Sequence, residues 1–217
     1  MSTEITTALF DLDGTLIDTN ELIKSSYSHT LNKYFPDKYS DKDILSFMGP
    51  SLYYTFSAID KERTEELIHE YRTYNKANHD LYVKEFPGVY ETIKTMSQAG
   101  IKLGIVTTKM FDVVQMGLKL TKLDAFFDVI VALDHVKKEK PDPEPVEKAL
   151  AQLKSFPEEA IMVGDHFNDI LAGKNAGTKT AAVSWSLKSL EVLLQYQPDY
   201  LLKKMPDLLD VIGVKTG

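Results

Sequence analysis

The sequence predicts an α/β protein with a mostly parallel sheet and a helical segment inserted after the first strand. Along most of the chain, short apolar runs alternate with amphipathic stretches, which is typical of strands joined by crossover helices. One long stretch near the N-terminus breaks this alternation, because its apolar residues recur at helical spacing only. The 217 residues are enough for one core domain and one inserted module.

Short apolar or β-branched runs bounded by Gly, Asp or Lys are predicted to form buried strands. They cover residues 6–11, 102–107, 129–132, 160–164 and 180–184. Helix signals lie between them. Gly100 is predicted to end one helix, Asp142 to cap another that has Pro143 at its first position, and Gly177 to end a third over residues 168–176.

The stretch over residues 19–83 contains no convincing buried strand. Its roughly 65 residues exceed the dozen or so that a simple crossover needs. We therefore predict a core of residues 1–18 and 84–217, and a separate helical module of residues 19–83. Tyr53, Tyr54 and Phe56 are predicted to belong to the core of this module.

Composition excludes several classes of function. The 32 acidic residues outnumber the 25 basic ones, and the formal net charge is -7, which argues against general affinity for nucleic acid or anionic membranes. The chain has no cysteine, so disulfides, thiolate nucleophiles and Cys-ligated metals are excluded. Neither a signal peptide nor an apolar run long enough to span a membrane is visible, and we expect a cytoplasmic protein.

Two acids directly follow the first predicted strand, as Asp11-Leu12-Asp13-Gly14-Thr15. Ligands of open α/β sheets bind beyond the carboxyl ends of the strands, so this position is suited to an active site. Two carboxylates at this spacing can serve as nucleophile, acid/base group and metal ligand. Taken alone, the pattern is also that of a solvated Asp-Gly turn.

Polar residues at the other strand ends favour the functional interpretation. Each of these residues alone could have a purely structural role, but their occurrence together and in this order at the strand ends is not explained by chance. The candidates are Thr107 and Thr108 after the second strand, Lys140 in a Lys-Pro-Asp-Pro turn, and Asp165 and Asp169 after the fourth strand.

This arrangement resembles the haloacid dehalogenase (HAD) superfamily of phosphohydrolases over essentially the whole chain. The resemblance implies a Rossmann-like parallel-sheet core, and it implies that residues 19–83 form a cap that selects the substrate. Dehalogenases of the superfamily lack an acid two residues after the nucleophile. The presence of Asp13 therefore favours phosphoryl chemistry.

The resemblance implies that Asp11 is the nucleophile and that Asp13 exchanges a proton with the leaving group and with water. An anionic nucleophile and an anionic phosphate repel, which a hard dication with oxygen ligands offsets. Asp11, the Asp13 carbonyl and Asp165 are predicted to hold Mg²⁺.

The remaining motif residues are assigned to the phosphate and to its surroundings. Lys140 supplies positive charge to the substrate, and Gly14, Thr107 and Thr108 are predicted to bind phosphate oxygens. Asp169 is predicted to orient Lys140 or a metal-bound water without itself contacting the metal ion.

Residues 103–120, 140–145 and 173–185 resemble a branch of inorganic pyrophosphatases in Gram-positive bacteria. The loop Gly164–Asp169 departs from that branch, where a second histidine is expected beside His166. Alternatives within the superfamily are phosphoglycolate phosphatase, another small phosphomonoester phosphatase and a β-phosphoglucomutase-like isomerase. A non-catalytic binding module is disfavoured because no acid of the set is missing. The predicted partner is pyrophosphate or another small phosphorylated substrate; no protein partner is predicted.

Overall fold

The computed structural model describes residues 4–186 and 190–215, and its main feature is a six-stranded sheet. The strands of the molecule are β1 (Thr7–Phe10), β2 (Ile17–Asp18), β3 (Lys84–Glu85), β4 (Lys102–Val106), β5 (Val129–Val131), β6 (Ala160–Gly164), β7 (Lys179–Val183) and β8 (Tyr200–Leu202). The six-stranded sheet has the order β5-β4-β1-β6-β7-β8, and each neighbouring pair is parallel. This confirms the predicted fold class.

The five predicted strands are all present, with ends shifted by at most one residue. Within the described residues, three further strands occur that were not predicted. The edge strand β8 has only three residues, and its Leu201 is 37% exposed, so it lacks the apolar run of a buried strand. Strands β2 and β3 have two residues each and pair antiparallel with one another.

The described residues also form helices. They are α1 (Asn20–Tyr34), α2 (Asp41–Phe47), α3 (Leu52–Ile59), α4 (Thr64–Tyr82), α5 (Val89–Gln98), α6 (Phe111–Leu120), α7 (Glu144–Leu153), α8 (Phe167–Asn175), α9 (Leu190–Gln195) and α10 (Asp207–Ile212). Within the described residues, no helix is long and apolar enough to cross a membrane.

The start of α7 corrects one detail of the sequence analysis. Pro143 itself occupies the N-cap position, so the helix begins one residue later than predicted. Asp142 still acts on the helix start, because its Oδ1 accepts a hydrogen bond from the Glu144 N–H at 3.0 Å.

The chain forms two compact units, Met1–Asp18 with Lys84–Gly217 and Thr19–Val83. In the first unit, the central strands are buried along their whole length because helices cover the sheet. Apolar side chains of β1, β4, β5, β6, α7 and α8 form one core cluster, which includes Leu9, Val106, Val131, Val146 and Met162.

The second unit consists of α1 to α4 and has its own aromatic core. The ring of Tyr27 lies 4.8 Å from that of Tyr71 and 5.5 Å from that of Phe56. Phe56 is fully buried as predicted, but the prediction for Tyr53 and Tyr54 was wrong, since they are 61% and 66% exposed. The eight-residue helix α3 buries only one side, which Thr55 and Phe56 occupy. The role of this unit as a substrate-selecting cap stays a prediction.

Candidate active site

The register of the three central strands brings the predicted site residues to one edge of the sheet. Phe10 of β1 pairs with Ile105 of β4 on one side and with Val163 of β6 on the other. The residues that follow these strands therefore emerge side by side at the carboxyl edge of the sheet. They include Asp11, Thr107 and Asp165, which are all buried.

Lys140 lies at the centre of this edge and is 4% exposed. Its Nζ donates to Asp11 Oδ1 at 3.0 Å, to Asp169 Oδ1 at 2.5 Å and to the Val106 carbonyl at 2.8 Å. An ammonium group has three donors, so these acceptors use all of them. Lys140 thus joins the ends of β1 and β4 to helix α8 and fixes the orientation of both carboxylates.

Burial raises the pKa of Asp11 from 3.8 to about 7; Lys140 opposes this shift, whereas Asp169, Asp165 and Asp13 add to it. Burial alone would lower the pKa of Lys140, but the charges and hydrogen bonds of Asp11 and Asp169 outweigh it and raise that pKa. The site therefore holds Lys140 charged and works against a full negative charge on Asp11. A further cation would relieve this repulsion.

Three buried carboxylates form a possible metal site. Asp11, Asp165 and Asp169 each offer an oxygen, and these oxygens lie within 4.8 Å of one another. Hard oxygen donors of this kind suit Mg²⁺. The Oδ2 of Asp165 also accepts a hydrogen bond from Ser186 Oγ at 2.7 Å, which orients the carboxylate.

Two glycines let the acids approach the backbone closely. Gly14 has a φ of +79°, and a Cβ there would lie 2.3 Å from Asp165 Oδ2. A Cβ on Gly164 would lie 2.3 Å from the Cβ of Asp169. Only residues without a side chain leave room at these positions for the carboxylates.

Asp13 forms an ion pair that was not predicted. Its Oδ1 accepts a hydrogen bond from Lys109 Nζ at 2.5 Å, and the two side chains are 20% and 13% exposed. Thr107 Oγ1 in turn accepts from the Lys109 N–H at 3.3 Å, and Thr108 between them is half-buried. The end of β4 thus contributes a lysine as well as the predicted threonines.

Most of the chain matches the protein family whose model is described as haloacid dehalogenase-like hydrolase. The match extends over residues 8–183, which include every predicted site residue. The chain belongs to this family. Two relatives are similar to this chain over nearly their whole length. Pyrophosphatase PpaX of Anoxybacillus flavithermus (strain DSM 21510 / WK1) is 58% identical over 98% of this chain and 99% of that protein.

Pyrophosphatase PpaX of Bacillus velezensis (strain DSM 23117 / BGSC 10A6 / LMG 26770 / FZB42) is 57% identical over 97% of this chain and 98% of that protein. Among solved structures, a haloacid dehalogenase-like family hydrolase of Streptococcus pneumoniae superimposes with a TM-score of 0.85. It is 31% identical, and the match covers 95% of this chain and 98% of that one. The resemblance seen in the sequence is thereby confirmed.

In this haloacid dehalogenase-like hydrolase, the predicted site residues meet at the carboxyl edge of the sheet. Two further residues that contact them were not predicted from the sequence. Lys109 and Ser186 contact Asp13 and Asp165 through side chains that are distant in sequence. A lysine in a loop and a serine after a strand are common on protein surfaces, so the local sequence did not mark either residue as part of the site. His166 caps α8, since its Nδ1 accepts from the Asn168 N–H at 3.2 Å.

Proposed function

We propose that the protein hydrolyses inorganic pyrophosphate through a phosphoryl group carried on Asp11. The observation that carries this proposal is the buried Asp11 at the end of β1, hydrogen-bonded by Lys140 and close to Asp165 and Asp169. A carboxylate held rigidly at a sheet edge is suited to nucleophilic attack, because little orientation entropy remains to be lost in the reaction.

In the first half of the reaction, an Asp11 oxygen attacks one phosphorus atom of pyrophosphate. A bond forms between that oxygen and phosphorus, and the bond from phosphorus to the bridging oxygen breaks. Asp13 gives its proton to the bridging oxygen, so the leaving group departs as orthophosphate. Lys140 holds Asp11 in place throughout.

In the second half, water attacks the phosphorus of the aspartyl-phosphate while Asp13 accepts a proton from that water. The bond between phosphorus and the Asp11 oxygen breaks, which regenerates the carboxylate and releases the second orthophosphate. Thr107, the Thr108 N–H and Gly14 are assigned to the oxygens of the transferred phosphoryl group. They would stabilise the charge that develops there.

Asp11 and Asp165 of the buried carboxylate cluster fit Mg²⁺, and we propose the Asp13 carbonyl as a further ligand. Asp169 is not assigned as a ligand, because its Oδ1 accepts from Lys140 and its Oδ2 from the His166 N–H. When bound, the ion supplies the positive charge that lets anionic Asp11 approach an anionic phosphate. Asp169 orients Lys140 through their hydrogen bond, which is the role that we assign to it.

Pyrophosphate is the favoured substrate because the two relatives that are 58% and 57% identical carry the name pyrophosphatase. We assign substrate selection to the helical unit over residues 19–83, which follows β2 a few residues after Asp13 in the sequence. The protein is proposed to act in the cytoplasm on small phosphorylated substrates.

The test is phosphate release from pyrophosphate, phosphoglycolate and an aryl phosphate, each with Mg²⁺ and with EDTA. We expect metal-dependent turnover with the highest kcat/KM for pyrophosphate. A higher kcat/KM for phosphoglycolate would reject pyrophosphate as the substrate while leaving the phosphohydrolase chemistry in place.

The covalent step is tested separately. Acid-quenched protein is expected to carry one phosphoryl group on the peptide that contains Asp11, as seen by mass spectrometry. The Asp11→Asn variant should lack both the modification and turnover. Turnover by that variant at a rate near that of the unaltered protein would rule out Asp11 as the nucleophile.

A further inference from the structure

Lys109 lies in the site without a role in the reaction described above. Its ammonium group is 2.5 Å from Asp13 Oδ1, and its side chain is only 13% exposed. The two residues are 96 positions apart in sequence. A solvated surface lysine would not be held in this way, since its entropy favours extension into water.

The backbone of Lys109 is fixed on both sides. Its N–H donates to Thr107 Oγ1 at 3.3 Å, and its carbonyl accepts from the Leu133 N–H at 3.0 Å. These contacts tie the residue to the ends of β4 and β5. The side chain therefore starts from a rigid position at the sheet edge and reaches Asp13 from there.

The proton-donor role proposed for Asp13 places Lys109 near the leaving group. A group that protonates the leaving oxygen must come within hydrogen-bond reach of it. A cation in contact with that same carboxylate is therefore next to the leaving group, whereas Lys140 contacts the nucleophile. In the proposed reaction, Lys109 is therefore on the leaving-group side of the transferred phosphoryl group and Lys140 is on the side of the nucleophile.

The charge of the leaving group determines how strongly a cation at the position of Lys109 can stabilise it. When pyrophosphate is cleaved, the leaving group is phosphate, which carries negative charge. When an aryl ester is cleaved and protonated, the leaving group is a neutral phenol. Even with the proposed Mg²⁺ bound, the four site carboxylates and Lys140 leave a formal charge of -1, so a doubly anionic product is repelled unless Lys109 adds its positive charge.

We propose that Lys109 is a specificity-determining residue that binds the departing phosphate of pyrophosphate. The inference rests on the proposed function and deepens it. An ammonium group has three donors, so Lys109 can keep one hydrogen bond to Asp13 and offer the others to phosphate oxygens. Its contribution is large for an anionic leaving group and small for a neutral one.

The experiment compares pyrophosphate with phenyl phosphate, because both leaving oxygens need a proton from Asp13 but only one product is an anion. We expect Lys109→Gln to lower kcat/KM about 100-fold for pyrophosphate and less than about 5-fold for phenyl phosphate. Lys109→Arg keeps the charge and should recover much of the loss. Lys94→Gln on α5, 42% exposed, is the matched control and should change neither value.

Inhibition provides a readout that does not depend on turnover. Lys109→Gln should weaken inhibition by imidodiphosphate, a diphosphate that is not cleaved, at least about 10-fold more than inhibition by orthophosphate. Equal losses on both substrates would show that Lys109 acts only through Asp13, and unchanged kinetics would show no role; either result overturns the inference. If the unaltered protein does not cleave pyrophosphate, the proposed function itself fails.

Discussion

The Nζ of Lys140 lies 2.5 Å from Asp169 Oδ1, and both side chains are only 2% exposed. A buried ion pair of this kind is stable only when further hydrogen bonds satisfy the remaining polar atoms. Here Lys140 also bonds Asp11 and the Val106 carbonyl, and Asp169 Oδ2 accepts the His166 N–H at 2.9 Å. The stability of the fold and the geometry of the candidate active site therefore both depend on the ammonium group of Lys140.

Replacing Lys140 is expected to affect stability and activity together. Lys140→Met leaves buried carboxylates without their partner, so we expect a loss of about 3 kcal/mol in the free energy of unfolding without metal. Turnover should fall at least about 100-fold. Chemical unfolding in EDTA and steady-state kinetics with Mg²⁺ measure the two effects.

Lys140→Arg separates charge from geometry. The three acceptors surround one nitrogen atom, whereas the donors of a guanidinium lie in a planar fork. We therefore expect Arg to restore little activity although it keeps the charge. Activity near that of the unaltered protein would show that charge alone suffices at this position.

The pKa of Asp11 predicts an unusual dependence of stability on pH. Because burial raises this pKa from 3.8 to about 7, the folded protein keeps a proton that the unfolded chain releases between these values. The resulting stabilisation is complete below about pH 4 and is lost as pH rises through 7. Asp11→Asn cannot lose that proton, so in EDTA it should be more stable than the unaltered protein at pH 8, by up to about 4 kcal/mol.

Urea unfolding of the two proteins from pH 4 to pH 8 measures this difference. It should be smallest at the acid end and grow toward pH 8, and Mg²⁺ should reduce it because a bound cation favours ionised Asp11. A difference that does not change with pH would contradict the assignment of a raised pKa to this carboxyl group.

Much of this site is visible in the sequence because buried parallel strands leave a strong signal. An apolar run such as residues 160–164 marks the strand, and the acid that follows it must lie at the carboxyl edge. A contact between side chains that follow two different strands leaves no such signal in the sequence. Lys109 pairs with Asp13 because β4 and β1 are neighbours, and neither residue shows it in its local sequence.

Gly14 can be tested against a glycine with similar backbone geometry. Gly14→Ala places a Cβ 2.3 Å from Asp165 Oδ2, whereas a Cβ on Gly100, at a similar φ of +80°, meets nothing within 4 Å. Both variants should lose about 1 kcal/mol from the left-handed backbone. Only Gly14→Ala should also weaken Mg²⁺ binding and turnover, at least about 10-fold. Calorimetric titration with Mg²⁺ measures the binding; equal affinities in both variants would disconnect Gly14 from the Asp165 carboxylate.

Asp199 lies at the opposite, amino end of the sheet and is expected to affect stability only. It accepts hydrogen bonds from the Thr180 N–H and Oγ1, each at 2.9 Å, and from Lys179 Nζ at 3.1 Å. Burial alone would raise the pKa of Asp199, but these hydrogen bonds outweigh it and lower the pKa. The stability that Asp199 contributes is therefore present at neutral pH and lost as pH falls below about 4.

Two variants separate the contacts of Asp199. Asp199→Asn should cost about 1 kcal/mol at pH 7, and this difference should shrink in acid. Lys179→Met should cost less than about 0.5 kcal/mol, because the lysine side chain is 53% exposed and such ion pairs are weak. Both should keep the kcat of the unaltered protein, since β7 carries Thr180 at its start and the site lies beyond the other end of the sheet. A larger loss from Lys179→Met than from Asp199→Asn would mean that the ion pair, and not the buried Thr180 contacts, joins β7 to Asp199.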